Sequence, residues 1–194
     1  ALLDFVFDDK VDVADARGWP KMGDSSMAGF ERNMLLRQTA SGFVSIGKEA
    51  GVDSIGDGRA VAVADFDNDG RMDIVVTNVN GAPHVYRNTT EPRGNWLELR
   101  LTGAGMKSNI DAIGARILVR TADGEQIREV ASANGFNAQS SLQAHFGLGK
   151  NSRIDYMKIV WPDGAVQEFR NVVGNKVYHL RQNKTLEMFR APTV

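Results

Sequence analysis

At 194 residues the chain can hold one large or two small domains, and its 42% apolar fraction is enough for a real core. The absence of cysteine excludes disulfides, thiolate metal sites and cysteine nucleophiles. Lysine plus arginine (23) nearly balance aspartate plus glutamate (24), and no basic stripe is interleaved with aromatics, so nucleic acid is not an expected partner.

In chain order, residues 1–29 read as an N-terminal strand and loop. Leu3, Phe5, Val6 and Phe7 suit a strand to about Lys10, and residues 11–29 mix Asp, Gly, Pro and Ser with little periodicity. The start at Ala1-Leu2-Leu3-Asp4, without methionine, is that of a processed mature protein or an excised fragment. Within residues 30–90, Asn33-Met34-Leu35-Leu36-Arg37 and Gly42-Phe43-Val44-Ser45-Ile46 predict two short strands joined by a polar turn. Ala60-Val61-Ala62-Val63-Ala64 and Ile74-Val75-Val76-Thr77 are short apolar runs that predict buried strands. Val85 to Asn88 predicts another, after a turn at Asn80-Gly81-Ala82-Pro83.

A boundary is expected near Thr89 to Asn95, where turn chemistry interrupts the apolar pattern, so residues 91–194 form the last region. Trp96-Leu97-Glu98-Leu99-Arg100-Leu101 alternates as a half-buried strand should, with Trp96 and its even partners on one side. Asp123-Gly124 and Pro162-Asp163-Gly164 each sit between apolar-alternating runs and predict two hairpins. Lys176 to Leu180 is expected to be the last strand. The region reads as an antiparallel sandwich or barrel-like sheet, and no segment is long enough to span a bilayer.

Between the Ala60 and Ile74 strands lies Asp65-Phe66-Asp67-Asn68-Asp69-Gly70-Arg71-Met72-Asp73, four carboxylates at alternating positions around a glycine turn. A hard cation would balance that charge. Calcium accepts six to eight oxygens in irregular geometry, so Asp65, Asp67, Asp69, the Arg71 carbonyl and Asp73 are the candidate ligands, with Gly70 allowing the bend. Residue twelve of the loop is Val76, so the glutamate that closes an EF-hand is missing, and the flanks are strands. The competing reading is an ordinary Asp-Gly turn with solvated carboxylates. A calcium loop of this kind fills most readily outside cells, where dissociation constants of roughly 0.1 to 1 mM are tolerated.

The run from Gly58-Arg59-Ala60 through the Asp65–Gly70 loop to Asp73-Ile74-Val75-Val76-Thr77-Asn78 resembles an FG-GAP or VCBS-type repeat, the calcium-bearing blade of integrin-α-like β-propellers. The last region resembles the ASPIC and UnbV domain that follows such repeats in bacterial secreted proteins and in the cartilage acidic protein family. The carriers are Ser108 to Arg116, Asn134 to Ser141, His145-Phe146-Gly147-Leu148-Gly149 and Trp161-Pro162-Asp163-Gly164. The resemblance covers about Asn33 to Gln182. It implies an all-β chain, a partial propeller blade followed by an antiparallel sandwich-like domain. About one complete repeat and part of another precede the last domain, so the chain is expected to be either a remnant of a longer protein or a unit whose open sheet edges meet a protein partner or a second copy, with the apolar N-terminal run as an added strand.

Other chemistry is weaker. His84, His145 and His179 share no metal-ligand spacing and read as structural. Ser140-Ser141 near His145 lack a nucleophile elbow, so no catalytic residue is assigned. Asn109 and Asp111 beside Gly114 suit a polar turn better than a second ion site. Trp96, Trp161 and Tyr178 would suit a glycan platform, but core packing is the default. Asn88-Thr89-Thr90 and Asn183-Lys184-Thr185 match the glycosylation sequon, which matters only in a source that modifies secreted proteins. The expectation is a secreted, non-enzymatic calcium-binding protein in adhesion or extracellular assembly, a filament subunit being one form. Its rivals are a carbohydrate-recognising module and an accessory domain of a hydrolase.

Overall fold

The computed structural model describes residues 30–91 and 94–188. The expected N-terminal strand and loop, and with them the strand expected to pair with a neighbour, lie outside the described residues. Among the described residues the chain forms thirteen strands and no helix. It divides into two compact units, Ala1–Gly58 with Asn78–Ala82 and Arg59–Thr77 with Pro83–Val194. The Asp-rich loop falls in the second of these units, with the C-terminal region.

In the first unit, β1 (Leu36–Thr39) and β2 (Gly42–Ser45) form the expected hairpin, in register from Leu36↔Ser45 to Thr39↔Gly42. Gly42 takes φ of +121° at the turn, where a side chain would be strained. Arg32 pairs with Asp53 at 3.0 Å, and Met34, Leu36, Phe43, Val44 and Ile55 stay exposed.

In the C-terminal region, β6 (Asn95–Thr102), β9 (Ala144–Gly149), β12 (Lys176–Arg181) and β13 (Leu186–Met188) form one four-stranded sheet, ordered β13-β12-β6-β9. The other contains β7 (Arg116–Thr121), β8 (Gly124–Glu129), β10 (Arg153–Val160) and β11 (Val166–Val173), ordered β11-β10-β7-β8. Alternate residues of both sheets meet in one core. Leu97, Leu99, Phe146 and Leu180 come from the first sheet and Ile117, Val119, Ile154, Met157 and Ile159 from the second, all fully buried. Each such side chain stabilises the fold by roughly 1.5–3 kcal/mol.

Three expectations are corrected here. Lys176–Arg181 is not the last strand, since Leu186–Met188 follows and pairs with it. The β6–β12 pair is parallel, so the sandwich is not purely antiparallel. Strand β6 is buried on both faces: Leu97, Leu99 and Leu101 enter the core, and Trp96 and Glu98 are buried on the opposite side.

β3 (Gly58–Ala64), β4 (Asp73–Asn78) and β5 (Gly81–Tyr86) form a three-stranded sheet ordered β3-β4-β5. Its strands are less buried than the apolar runs suggest: Val61 is 48% exposed, and of the apolar residues in the two runs Val76 is the buried one. β5 begins at Gly81 and takes in Pro83, so the chain turns at Val79-Asn80, two residues earlier than expected. Proline is tolerated there because β5 is an edge strand that need not donate from every residue.

Candidate metal centre

The Asp-rich loop leaves β3 at Asp65 and enters β4 at Asp73. Asn68 and Gly70 hold left-handed backbone, φ +55° and +89°, which Asn and Gly adopt at least cost. The bend folds the Asp65 side chain back over its own loop. Its carboxylate accepts from the backbone N–H of Asp69 at 3.1 Å and of Gly70 at 2.6 Å. Asp73 closes the other end, accepting from Phe66 N–H at 3.1 Å and Asn88 N–H at 2.7 Å.

These bonds bring carboxylate oxygens of Asp65, Asp67 and Asp73 within 4.8 Å of one another, with Asp65 and Asp73 buried and Asp67 exposed. Asp69 is not in that group. Its carboxylate takes the Arg71 backbone N–H at 2.9 Å and the Arg71 guanidinium, which also reaches Glu91 at 2.9 Å. Asp67 likewise meets Arg87, at 2.6 Å. The donor set fits a hard cation: the three clustered side-chain ligands are all carboxylates, the class calcium and magnesium take. Burial raises the Asp65 carboxyl above its ordinary range, and the charges of Asp69 and Asp67 raise it further against the two backbone N–H bonds that lower it. A divalent ion would reverse that balance.

The loop rests on the outer face of β6 and β9. A Cβ on Gly70 would lie 2.0 Å from Trp96 Nε1, so only glycine lets the backbone approach the indole this closely. Trp96 stacks on His145 with ring centroids 6.4 Å apart and planes within 8°, and His145 Nε2 donates to the Gly70 carbonyl at 2.9 Å. Glu98 pairs across the strands with His145 on this face and is 1% exposed. Burial first, then the charge of Asp65, push its carboxyl up to about 7. Sequence reasoning missed Glu98, because a charged residue alternating with leucines reads as solvent-facing. The one available signal was Trp96 two residues earlier on the same side, which marked that face as covered.

The remaining candidates are engaged locally. Ser140 Oγ accepts from Val63 N–H at 3.1 Å, and the Ser141 N–H donates to the Val63 carbonyl at 3.0 Å, so this segment covers part of the β3 edge. Ser141 Oγ accepts from Gln143 N–H at 3.1 Å. His84 meets Tyr86 and His179 meets Thr102. The Asn109 side chain accepts from Ile113 N–H and donates to its carbonyl, the polar turn expected there. Trp96, Trp161 and Tyr178 are all buried, as packing predicts. Of the two sequons, Asn183 is exposed, while the Asn88 amide donates to the Met72 carbonyl at 3.2 Å.

Comparison with known proteins finds two family matches. Residues 4–76 match the FG-GAP-like repeat and residues 105–187 match the ASPIC and UnbV family. Cartilage acidic protein 1 of Xenopus tropicalis is 29% identical over 115 residues, 57% of this chain and 17% of that protein. The Homo sapiens protein of the same name is 28% identical over 126 residues, 63% of this chain and 18% of its own length. That of Mus musculus is 26% identical over 137 residues, 69% and 20%. The chain thus spans a fifth or less of the relatives it matches. Its described residues are all-β, and the chain is similar to an FG-GAP-like repeat in its first part and to the ASPIC and UnbV family in its last.

Proposed function

We propose that this chain is a secreted, non-enzymatic calcium-binding protein in which the ion ties the end of β3 to the start of β4 and so fixes a surface for adhesion or extracellular assembly. The observation that carries the reading is the convergence of Asp65, Asp67 and Asp73 oxygens within 4.8 Å. Two of these carboxylates are already oriented by backbone N–H groups, so little reordering precedes binding. The ion's role is structural, because its ligands join the end of β3 to the start of β4.

A location outside the cell is supported by the match to proteins named for cartilage and by the weak affinity such a loop would have. No described helix is long and apolar enough to cross a membrane. The surface for a partner or a second copy would be the β5 edge with Val85, 67% exposed, and Phe66, 57% exposed. A non-enzymatic role is supported by the engagement of Ser140, Ser141 and His145 in bonds that hold the loop and the β3 edge.

The test is melting with calcium and with chelator. At a hundred times its dissociation constant calcium should add about 2.7 kcal/mol, and Asp67→Ala should remove the difference. Identical melting of the wild type in both conditions would count against the reading.

A further inference from the structure

Glu98 is buried to 1% exposure, yet its Oε2 has no hydrogen-bond partner. An unmatched carboxylate oxygen in the interior is strongly unfavourable unless a proton, a cation or a hydrogen-bond donor balances it. Three features place it at the loop. Its cross-strand neighbour on the same face, His145, bonds the Gly70 carbonyl. Trp96, two residues earlier on that face, packs against Gly70. Asp65, a member of the carboxylate cluster, acts on it electrostatically.

We propose that Glu98 is the sandwich's contribution to the cation site, an additional carboxylate that a divalent ion held by Asp65, Asp67 and Asp73 balances across the contact between loop and sandwich. The site is then not a property of the Asp loop alone. Removing the charge of Glu98 weakens the ion although Glu98 lies 25 residues beyond the loop's last aspartate, Asp73. The inference rests on the calcium reading, and the experiment separates the two.

Terbium serves as the probe, because Trp96 lies against the loop and can sensitise its emission, and calcium is measured by displacement. The whole chain is titrated as wild type, Asp67→Asn and Glu98→Gln. Glu98→Gln should weaken calcium about tenfold, the range in which partners of metal ligands act, and should melt higher than wild type in chelator because an unbalanced buried charge is gone. A change under threefold overturns the proposal while leaving the calcium reading intact. A wild type that neither lights terbium nor binds calcium overturns both. If Glu98→Gln does not fold, Glu98→Met keeps the volume without the polar atoms, and the same thresholds decide.

Discussion

The sandwich and the blade sheet bury their faces with different materials. The sandwich has a continuous apolar core in which Leu97, Ile117, Phe146, Ile154 and Ile159 are fully buried. In β3, β4 and β5 Val76 is the buried apolar residue, and the loop beside it buries two carboxylates, Asp65 and Asp73. Hydrophobic burial needs no cofactor, whereas buried carboxylates require hydrogen bonds and, on this account, an ion. One half of the contact should therefore be insensitive to calcium and the other governed by it.

The largest expected effect lies in the sandwich. Ile159→Ala should cost roughly 2–5 kcal/mol, by the same amount with calcium or with chelator, in denaturant melts. A calcium-dependent cost would blur the distinction between the regions. Gly70→Ala comes next, because it strains a left-handed backbone and drives a methyl into the Trp96 indole; we expect about 1–3 kcal/mol and an altered near-ultraviolet signal from Trp96.

The pH dependence of the metal-free protein follows from Glu98. Its folded pKa of about 7 lies above the unfolded value of 4.5, so the folded state binds this proton more tightly. Its contribution is complete below pH 4.5 and is lost as pH rises through about 7, on the order of 2–3 kcal/mol. Melting in chelator across that window should show the decline, and Glu98→Gln should flatten it. The smallest effect is His145→Phe, which keeps a ring on Trp96 but deletes the bond to Gly70; about 1 kcal/mol should be lost.

What the sequence disclosed divides along the same line. The Asp loop and the two hairpins were legible because their determinants are local: carboxylates at fixed spacing, and Asp-Gly between alternating runs. β9 and β13 were not, since His145-Phe146-Gly147-Leu148-Gly149 carries two glycines and Leu186–Met188 is three residues long, and both strands are held by pairing with β6 and β12. Pro83 hid the start of β5 because proline usually ends a strand, and only its place at a sheet edge admits it. At the site, the spacing indicated five candidate ligands. The fold gathers Asp65, Asp67 and Asp73 and turns Asp69 to Arg71, while Glu98 is buried on the face of β6 whose Trp96 meets the loop, a placement that local pattern cannot show.

Hydrogen exchange, resolved by residue, with and without millimolar calcium addresses the central claim most directly. The amides of Phe66, Asp69, Gly70 and Asn88 donate to Asp65 and Asp73. The account predicts that calcium slows these four more than any amide of the β7–β10 pair. Equal rates for them in calcium and in chelator would contradict it.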